Sequence, residues 1–375
     1  MDTIAVGLIG ARFMGRAHSH ALIDAPHFFD VPRPLLHMVC GTKLTPELNE
    51  FARRFGWQHV CTDWRQVVDD DAVQLVDICT SNASHLPIAV AAARRGKHIL
   101  CEKPLARNAE EARRMMEAAE EAGVVHMVAF NYRRVPAIVL ARQMIERGDL
   151  GRILHFNAVY YQDWQVDPAA PFVWRNDAAI GGSGVHGDMN AHLVDLARYL
   201  VGEFEAVCGV KEIFVKERKA DTGIALPVTA EDSAYFLARF QGGALGSFLV
   251  TKMAAGYKNF LRLEICGDQG SLIFNLERMN ELEFYTRRDE PMAPGFRTVL
   301  VTDRNHPYLA AWWPAGHILG WEHTFVHEIS DLLIGIRDHQ PITPTFYDGW
   351  RCQLVLDAAL ASMTRGHWVE VPTGG

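Results

Sequence analysis

Hydrophobic and polar positions divide the chain into two patterns. Over the first third, short and nearly unbroken apolar runs occupy residues 4–10, 35–40, 60–61, 75–79, 98–101 and 124–130. Helical spacing fills the intervals, from near Met14 to Leu22, then over residues 46–55, 86–94 and 109–121. A strand that is apolar along its whole length is covered on both faces. The pattern therefore predicts a parallel sheet between two layers of helix, a doubly wound α/β domain of about 130 residues.

Beyond it the period changes. A helix is expected over 136–147, ending at Gly148, and strands over 152–161, 205–215, 233–240, 244–251, 261–266, 271–276 and 282–286. Several of these strands alternate apolar and polar residues, as half-exposed antiparallel strands do. Gln241-Gly242-Gly243 and Gly267-Asp268-Gln269-Gly270 read as tight turns between them. Helices over 322–337 and 349–365 close the chain. The expected organisation is a first domain over 1–131 and an α+β domain with a large, mostly antiparallel sheet over 132–375, whose final helices are free to pack back on the first.

Composition narrows the class. The chain has 375 residues, 49% hydrophobic and 22% charged, enough to bury a sizeable core. Lys and Arg number 37 against 45 Asp and Glu, a formal net charge of -8, which argues against a nucleic-acid partner. Seven cysteines, with no C-x-x-C, argue against a disulfide framework or a structural zinc site. No signal-peptide pattern and no membrane-length apolar run occur, so a cytoplasmic protein without a membrane partner is expected.

Candidate chemistry begins where the first strand ends. Gly10 and Gly15 take the first and third places of a G-x-G-x-x-G dinucleotide turn, and Arg12 stands in the second. With Phe13 and Met14, this turn leads into a helix whose N-terminal N–H groups can receive a pyrophosphate. The second strand ends Cys40-Gly41-Thr42-Lys43, without the carboxylate that selects NAD. A hydroxyl and a Lys suit a 2′-phosphate, so NADP is favoured slightly over NAD. Thr80, Asn82 and His85, after the fourth strand, fall at the ligand-binding edge of such a sheet. The fifth strand ends Glu102-Lys103-Pro104, where Lys103 can hold a substrate oxygen and stabilise an alkoxide. Glu102-Lys103 taken alone also fits a surface ion pair. A glycine-rich stretch from Gly181 leads into a helix with Asp188 and His192 four residues apart, a spacing that suits general-base work by His192. His186 and Asp195 read as structural, and no metal is expected.

Together these segments resemble the glucose–fructose oxidoreductase, inositol dehydrogenase and MocA family along essentially the whole chain. The carriers are the glycine turn, Glu102-Lys103-Pro104 and Gly187-Asp188-Met189-Asn190-Ala191-His192, usually G-D-x-G-x-H. Phe130-Asn131-Tyr132-Arg133-Arg134, Tyr161-Gln162-Asp163-Trp164, Phe172-Val173-Trp174-Arg175 and Gly320-Trp321-Glu322-His323 are similar to a subgroup of levoglucosan-type and other pyranoside dehydrogenases. The resemblance implies a Rossmann dinucleotide-binding domain and a catalytic set of Lys103, Asp188 and His192. Glu102, Asn131, Trp174 and Arg175 join the nucleotide contacts. Asn131, Trp164, Arg175, Trp321, Glu322 and His323, with the catalytic set, would bind a sugar or cyclitol. Arg12 and Asn190 depart from the family pattern. An exposed sheet face implies a homodimer or homotetramer. The implied activity is an NAD(P)-dependent oxidation of a secondary alcohol. Its alternatives are a glycoside hydrolase or lyase working through transient oxidation with a retained cofactor, and a non-catalytic sugar sensor.

Overall fold

The computed structural model describes residues 2–374. The chain forms two compact units, Met1–Arg134 with Gly320–Trp350, and Val135–Leu319 with Arg351–Gly375. The first break falls at Arg134 instead of residue 131. The first unit also takes a late segment that the expected 132–375 domain contained.

Six strands build the first unit's sheet: β1 (Thr3–Ile9), β2 (Arg33–Cys40), β3 (His59–Cys61), β4 (Leu75–Ile78), β5 (His98–Cys101) and β6 (His126–Val128). Their order is β3-β2-β1-β4-β5-β6, and every pairing is parallel. The helices are α1 (Phe13–Phe28), α2 (Pro46–Phe55), α3 (Trp64–Asp69), α4 (His85–Arg94) and α5 (Ala109–Glu121). Local chemistry fixes several ends. Thr45 caps α2 by accepting from Leu48 N–H, and Gly56 stops it in the left-handed region at φ +82°. Asn108 caps α5 through Glu111 N–H, and Asp63 caps the short α3 through Arg65 N–H. The strand order reverses between β1 and β4, which puts the loops after them at the switch point where such sheets bind ligands.

The second unit opens with α6 (Pro136–Glu146), β7 (Ile153–Tyr161), the single turn α7 (Ala178–Gly181) and α8 (Ala191–Leu200). The strands that follow are β8 (Phe204–Glu212), β9 (Glu217–Lys219), β10 (Ala225–Pro227), β11 (Ser233–Phe240), β12 (Leu245–Thr251), β13 (Phe260–Gly267), β14 (Gly270–Asn275), β15 (Glu281–Thr286), β16 (Arg297–Leu300) and, at the chain's end, β17 (Val369–Glu370). Nine of them form one sheet in the order β16-β15-β14-β13-β7-β12-β11-β8-β17, antiparallel except where β12 runs beside β7. Its buried face carries Phe156, Phe204, Phe236, Phe240 and Phe248, with Phe236 and Phe248 stacked at 4.4 Å. The nearly buried α8 packs against β7 and α6.

Two long helices complete the chain, α9 (Trp321–Asp338) and α10 (Phe346–Arg365). α9 belongs to the first unit because its apolar face, with Phe325, Ile329, Leu332 and Ile336, packs against α1. An ion pair from the buried Arg134 to Asp331 fastens α9 there, and one from the buried Arg133 to Asp348 holds the start of α10. Among the described residues no helix is long and apolar enough to cross a membrane.

Candidate active site

Glycine geometry explains the turn after β1. Gly10 adopts φ +110°, and a Cβ on it would lie 2.4 Å from the Cys79 carbonyl oxygen. A Cβ on Gly15 would lie 1.9 Å from the Gly10 carbonyl oxygen. Both positions therefore need glycine, the first for the turn and the second for the contact of α1 with β1. Arg12 is the N-cap of α1, is exposed and makes no side-chain cap, so it does not fill the cradle. The α1 N-terminus retains its orphan N–H groups, and the residues present fit a dinucleotide pyrophosphate. Phe13 is 68% exposed and stacks at 5.4 Å on Trp321, the first residue of α9. Met14 is half-buried beside it.

The other expected nucleotide residues divide. Thr42 and Lys43 are exposed after β2, and Gly41 N–H bonds the Cys61 carbonyl. Thr80 accepts a 2.7 Å bond from the Ser84 hydroxyl. Asn82 is buried. His85 is corrected: its ring is wholly buried and its nitrogens face the carbonyls of Thr80, Pro104 and Leu105. In these contacts it braces the loop after Lys103. Burial accordingly pushes its pKa down. Asn131 is buried and donates to the Thr324 hydroxyl at 2.8 Å. His323 uses Nδ1 to accept the Gly320 N–H, capping α9. That local role uses one of its two nitrogens, while the Glu322 carboxyl is half exposed.

The surface ion-pair alternative for Glu102 does not hold: the residue is buried, with Oε1 3.2 Å from His18 Nε2 and Oε2 accepting the Lys103 main-chain N–H at 3.0 Å. Lys103 itself is half-buried.

In the second unit, α8 is preceded by a wide π-helical turn over His186–Asn190. Glu231 grips the entry to that turn. Its carboxylate accepts from Gly184 N–H at 2.6 Å and His186 N–H at 3.0 Å, and its carbonyl accepts from Val185 N–H. A Cβ on Gly184 would lie 2.2 Å from the Glu231 carbonyl oxygen, so glycine is required here. The turn carries Asp188, which pairs with Arg175 Nε at 3.2 Å. Arg175 lies 4.3 Å over the Trp174 ring. His192 is buried, with its ring 6.2 Å from Tyr160. His186 is structural: it faces the Leu356 carbonyl and the Asn190 amide, which explains the departure at Asn190.

Tyr160, Asn259 and Lys252, like Glu231, escaped the sequence reading. Tyr160 donates to Asn259 at 2.6 Å, and Gln162 bonds the same oxygen while accepting from Trp164 Nε1. Lys252, just after β12, is buried with Nζ 5.7 Å from the Trp164 ring centroid and 3.5 Å from Asp232 Oδ1. Burial lowers its pKa against the opposing pull of Asp232, Glu231 and Asp188. The signal was a cation placed at the end of an apolar strand. Trp164 remains 42% exposed above this anchored base.

Known proteins resemble the chain along its whole length. Residues 4–130 match the oxidoreductase family with an NAD-binding Rossmann fold, and residues 138–273 match the GFO/IDH/MocA C-terminal domain. Levoglucosan dehydrogenase of Pseudarthrobacter phenanthrenivorans is 43% identical, over 99% of each chain. Myo-inositol 2-dehydrogenase of Thermotoga maritima is 27% identical, over 71% of this chain and 74% of that protein. A levoglucosan dehydrogenase solved with NADH and levoglucosan superposes with a TM-score of 0.96 at 43% identity, covering 99% of this chain and 100% of that one. An oxidoreductase domain protein from Kribbella flavida gives 0.96 at 47% identity, with the same coverage. With a dinucleotide turn in one unit and the Asp188–His192 segment in the other, the chain belongs to the Gfo/Idh/MocA family of NAD-binding oxidoreductases.

Proposed function

We propose that the chain oxidises a secondary alcohol of a sugar or anhydrosugar, with a levoglucosan-like pyranose as the first candidate. The observation that carries this reading is full-length similarity to a protein solved with NADH and levoglucosan, in a chain that itself holds Lys103, Asp188 and His192. The nicotinamide ring, when bound, supplies the hydride acceptor. His192 takes the hydroxyl proton as the C–H hydride leaves the same carbon, giving a ketone and a protonated imidazole. Lys103 donates to the reacting oxygen and stabilises its developing charge. Asp188, held by Arg175, orients His192 or a neighbouring substrate hydroxyl. Trp164 offers an exposed ring face to the sugar's C–H groups.

The test is NAD(P)H formation at 340 nm across levoglucosan, pyranoses and cyclitols, with each nucleotide in turn. Turnover with at least one anhydrosugar or pyranose is expected. Release of an aglycone without net cofactor reduction would favour the hydrolase or lyase alternative instead. The loop Gly41-Thr42-Lys43 has no carboxylate to repel a 2′-phosphate, so NADP+ is expected to support turnover alongside NAD+. Strict NAD+ use would refute that part.

A second copy of the chain is the proposed cover for the outer sheet face. Val210, Tyr235, Leu237 and Leu245 are exposed on adjacent strands β8, β11 and β12. Light scattering should therefore give at least twice the chain mass, and a monomer at micromolar concentration would rule this out.

A further inference from the structure

His18 lies on α1, three residues beyond Gly15, and is wholly buried. Its Nδ1 is 2.9 and 3.0 Å from the two oxygens of Asp77 on β4, and its Nε2 is 3.2 Å from Glu102 Oε1. Carboxylates accept hydrogen bonds and do not donate them. An imidazole whose two nitrogens both face carboxylates must therefore donate from both, which only the imidazolium does. The surroundings agree. Cys79 Sγ lies 3.3 Å from Nδ1, and from α9 come the Phe325 ring at 5.6 Å and the buried carboxyl of Glu328. Neither Glu328 oxygen has a hydrogen-bond partner. Burial pushes its pKa up to about 8, against the pull of His18 and Arg134, which favours the neutral acid. Asp77 and Cys79 outweigh desolvation at His18 and raise its pKa well above the ordinary value.

We propose that His18 is a positioning residue for Lys103: its imidazolium, shared between Asp77 and Glu102, fixes the Glu102 carboxylate that receives the Lys103 main-chain N–H. The inference rests on the reading of Lys103 as catalytic. It gives the helix that opens at the nucleotide turn a second task, setting the backbone from which Lys103 projects. A neutral side chain at position 18 leaves Glu102 without its charged partner. Lys103 then loses its fixed origin, and a displacement of about 1 Å at a reacting group costs about 100-fold in rate.

The linkage sign follows from the raised pKa. The stability that charged His18 contributes is full below its ordinary value near 6.5. It is lost only as pH climbs through the raised folded value.

The experiment measures kcat, KM and NADH affinity of the full-length enzyme for His18→Gln, Glu102→Gln, the double variant and Lys103→Met. His18→Gln is expected to lower kcat about 10- to 100-fold, with NADH affinity within about threefold of wild type. Glu102→Gln, which keeps an oxygen for the Lys103 N–H, should show a similar loss if His18→Gln does not fold. The double variant should be no worse than the poorer single one, because both act through one contact. If Lys103→Met is inactive while His18→Gln and Glu102→Gln keep kcat within about twofold, the inference fails alone. Multiplying losses in the double variant also overturn it. Wild-type turnover by Lys103→Met removes the reading of Lys103 and the inference with it.

Discussion

Lys103→Met is expected to reduce kcat/KM for the sugar by about 1000-fold while the protein still folds and binds NADH. Methionine keeps the length of the side chain and removes the ammonium. Loss of one preorganised donor to a developing oxyanion costs about 100- to 1000-fold, and loss of acid–base help at the same oxygen adds to it. His192→Asn should cost about 100- to 10 000-fold, because asparagine cannot accept the hydroxyl proton. The assay is initial-rate NADH formation under saturating nucleotide, with NADH fluorescence as the binding control. Near-wild-type rates in both variants would eliminate these residues as the catalytic pair. On the proposed mechanism, in which both groups serve the substrate hydroxyl, the losses should not multiply fully in the double variant.

Gly15→Ala carries the other large effect, and it acts on the nucleotide. The added Cβ would sit 1.9 Å from the Gly10 carbonyl oxygen, which is backbone and has little room to yield. α1 must then move off β1, and the N–H groups at its start move with it. We expect NADH affinity to drop at least about tenfold, from the displaced helix N-terminus. A loss of about 1–3 kcal/mol in stability, typical of overpacking, should accompany it. Gly242→Ala is the control, because a Cβ added there would meet no heavy atom of the fold within 4 Å and its φ is not positive. Thermal unfolding and NADH titration check both variants. Equal NADH affinity in Gly15→Ala and wild type would show that the turn does not seat the pyrophosphate.

Much of the fold could be read where local chemistry sets an element's ends. α2 and α5 have the expected bounds because Thr45 and Asn108 cap them and Gly56 stops α2. β5 and β11 also have the expected bounds, one from its short apolar run and one from the Gln241-Gly242-Gly243 turn that ends it, although the burial of β11 alternates in a way its residues do not show. What escaped was short or peripheral. α3 has only six residues, although Asp63 supplied a cap signal, and β9, β10, β16 and β17 are two- to four-residue strands with no period to detect. α1 ran on to Phe28, past the expected end at Leu22, even with Pro26 in its last turn.

The candidate site divides the same way. Gly10, Gly15, Lys103, Asp188 and His192 stood out because each sits at an element's end in a spacing that chemistry demands. The π-helical turn before α8 did not, since a single wide turn leaves no periodic trace. Nor did the partners of buried charges. Glu102 was named as a nucleotide contact, but its partner His18, distant in sequence, could not be. Arg175 could be named, but its pairing with Asp188 could not.

The sequence by itself determined the doubly wound first sheet, the mostly antiparallel second one and the glycine turn after the first strand, and it named Lys103, Asp188 and His192 as candidates. Those features follow from periodicity, caps and the absence of a Cβ, all of which act within a few residues. Only the tertiary structure decided that α9 belongs with the first unit, that His85 is a brace, and that His18, Glu231 and Lys252 are the partners of Glu102, Gly184 and Trp164. The physical reason is desolvation: a charged side chain taken out of water must find its counter-charge in space, and sequence distance places no limit on where that partner comes from.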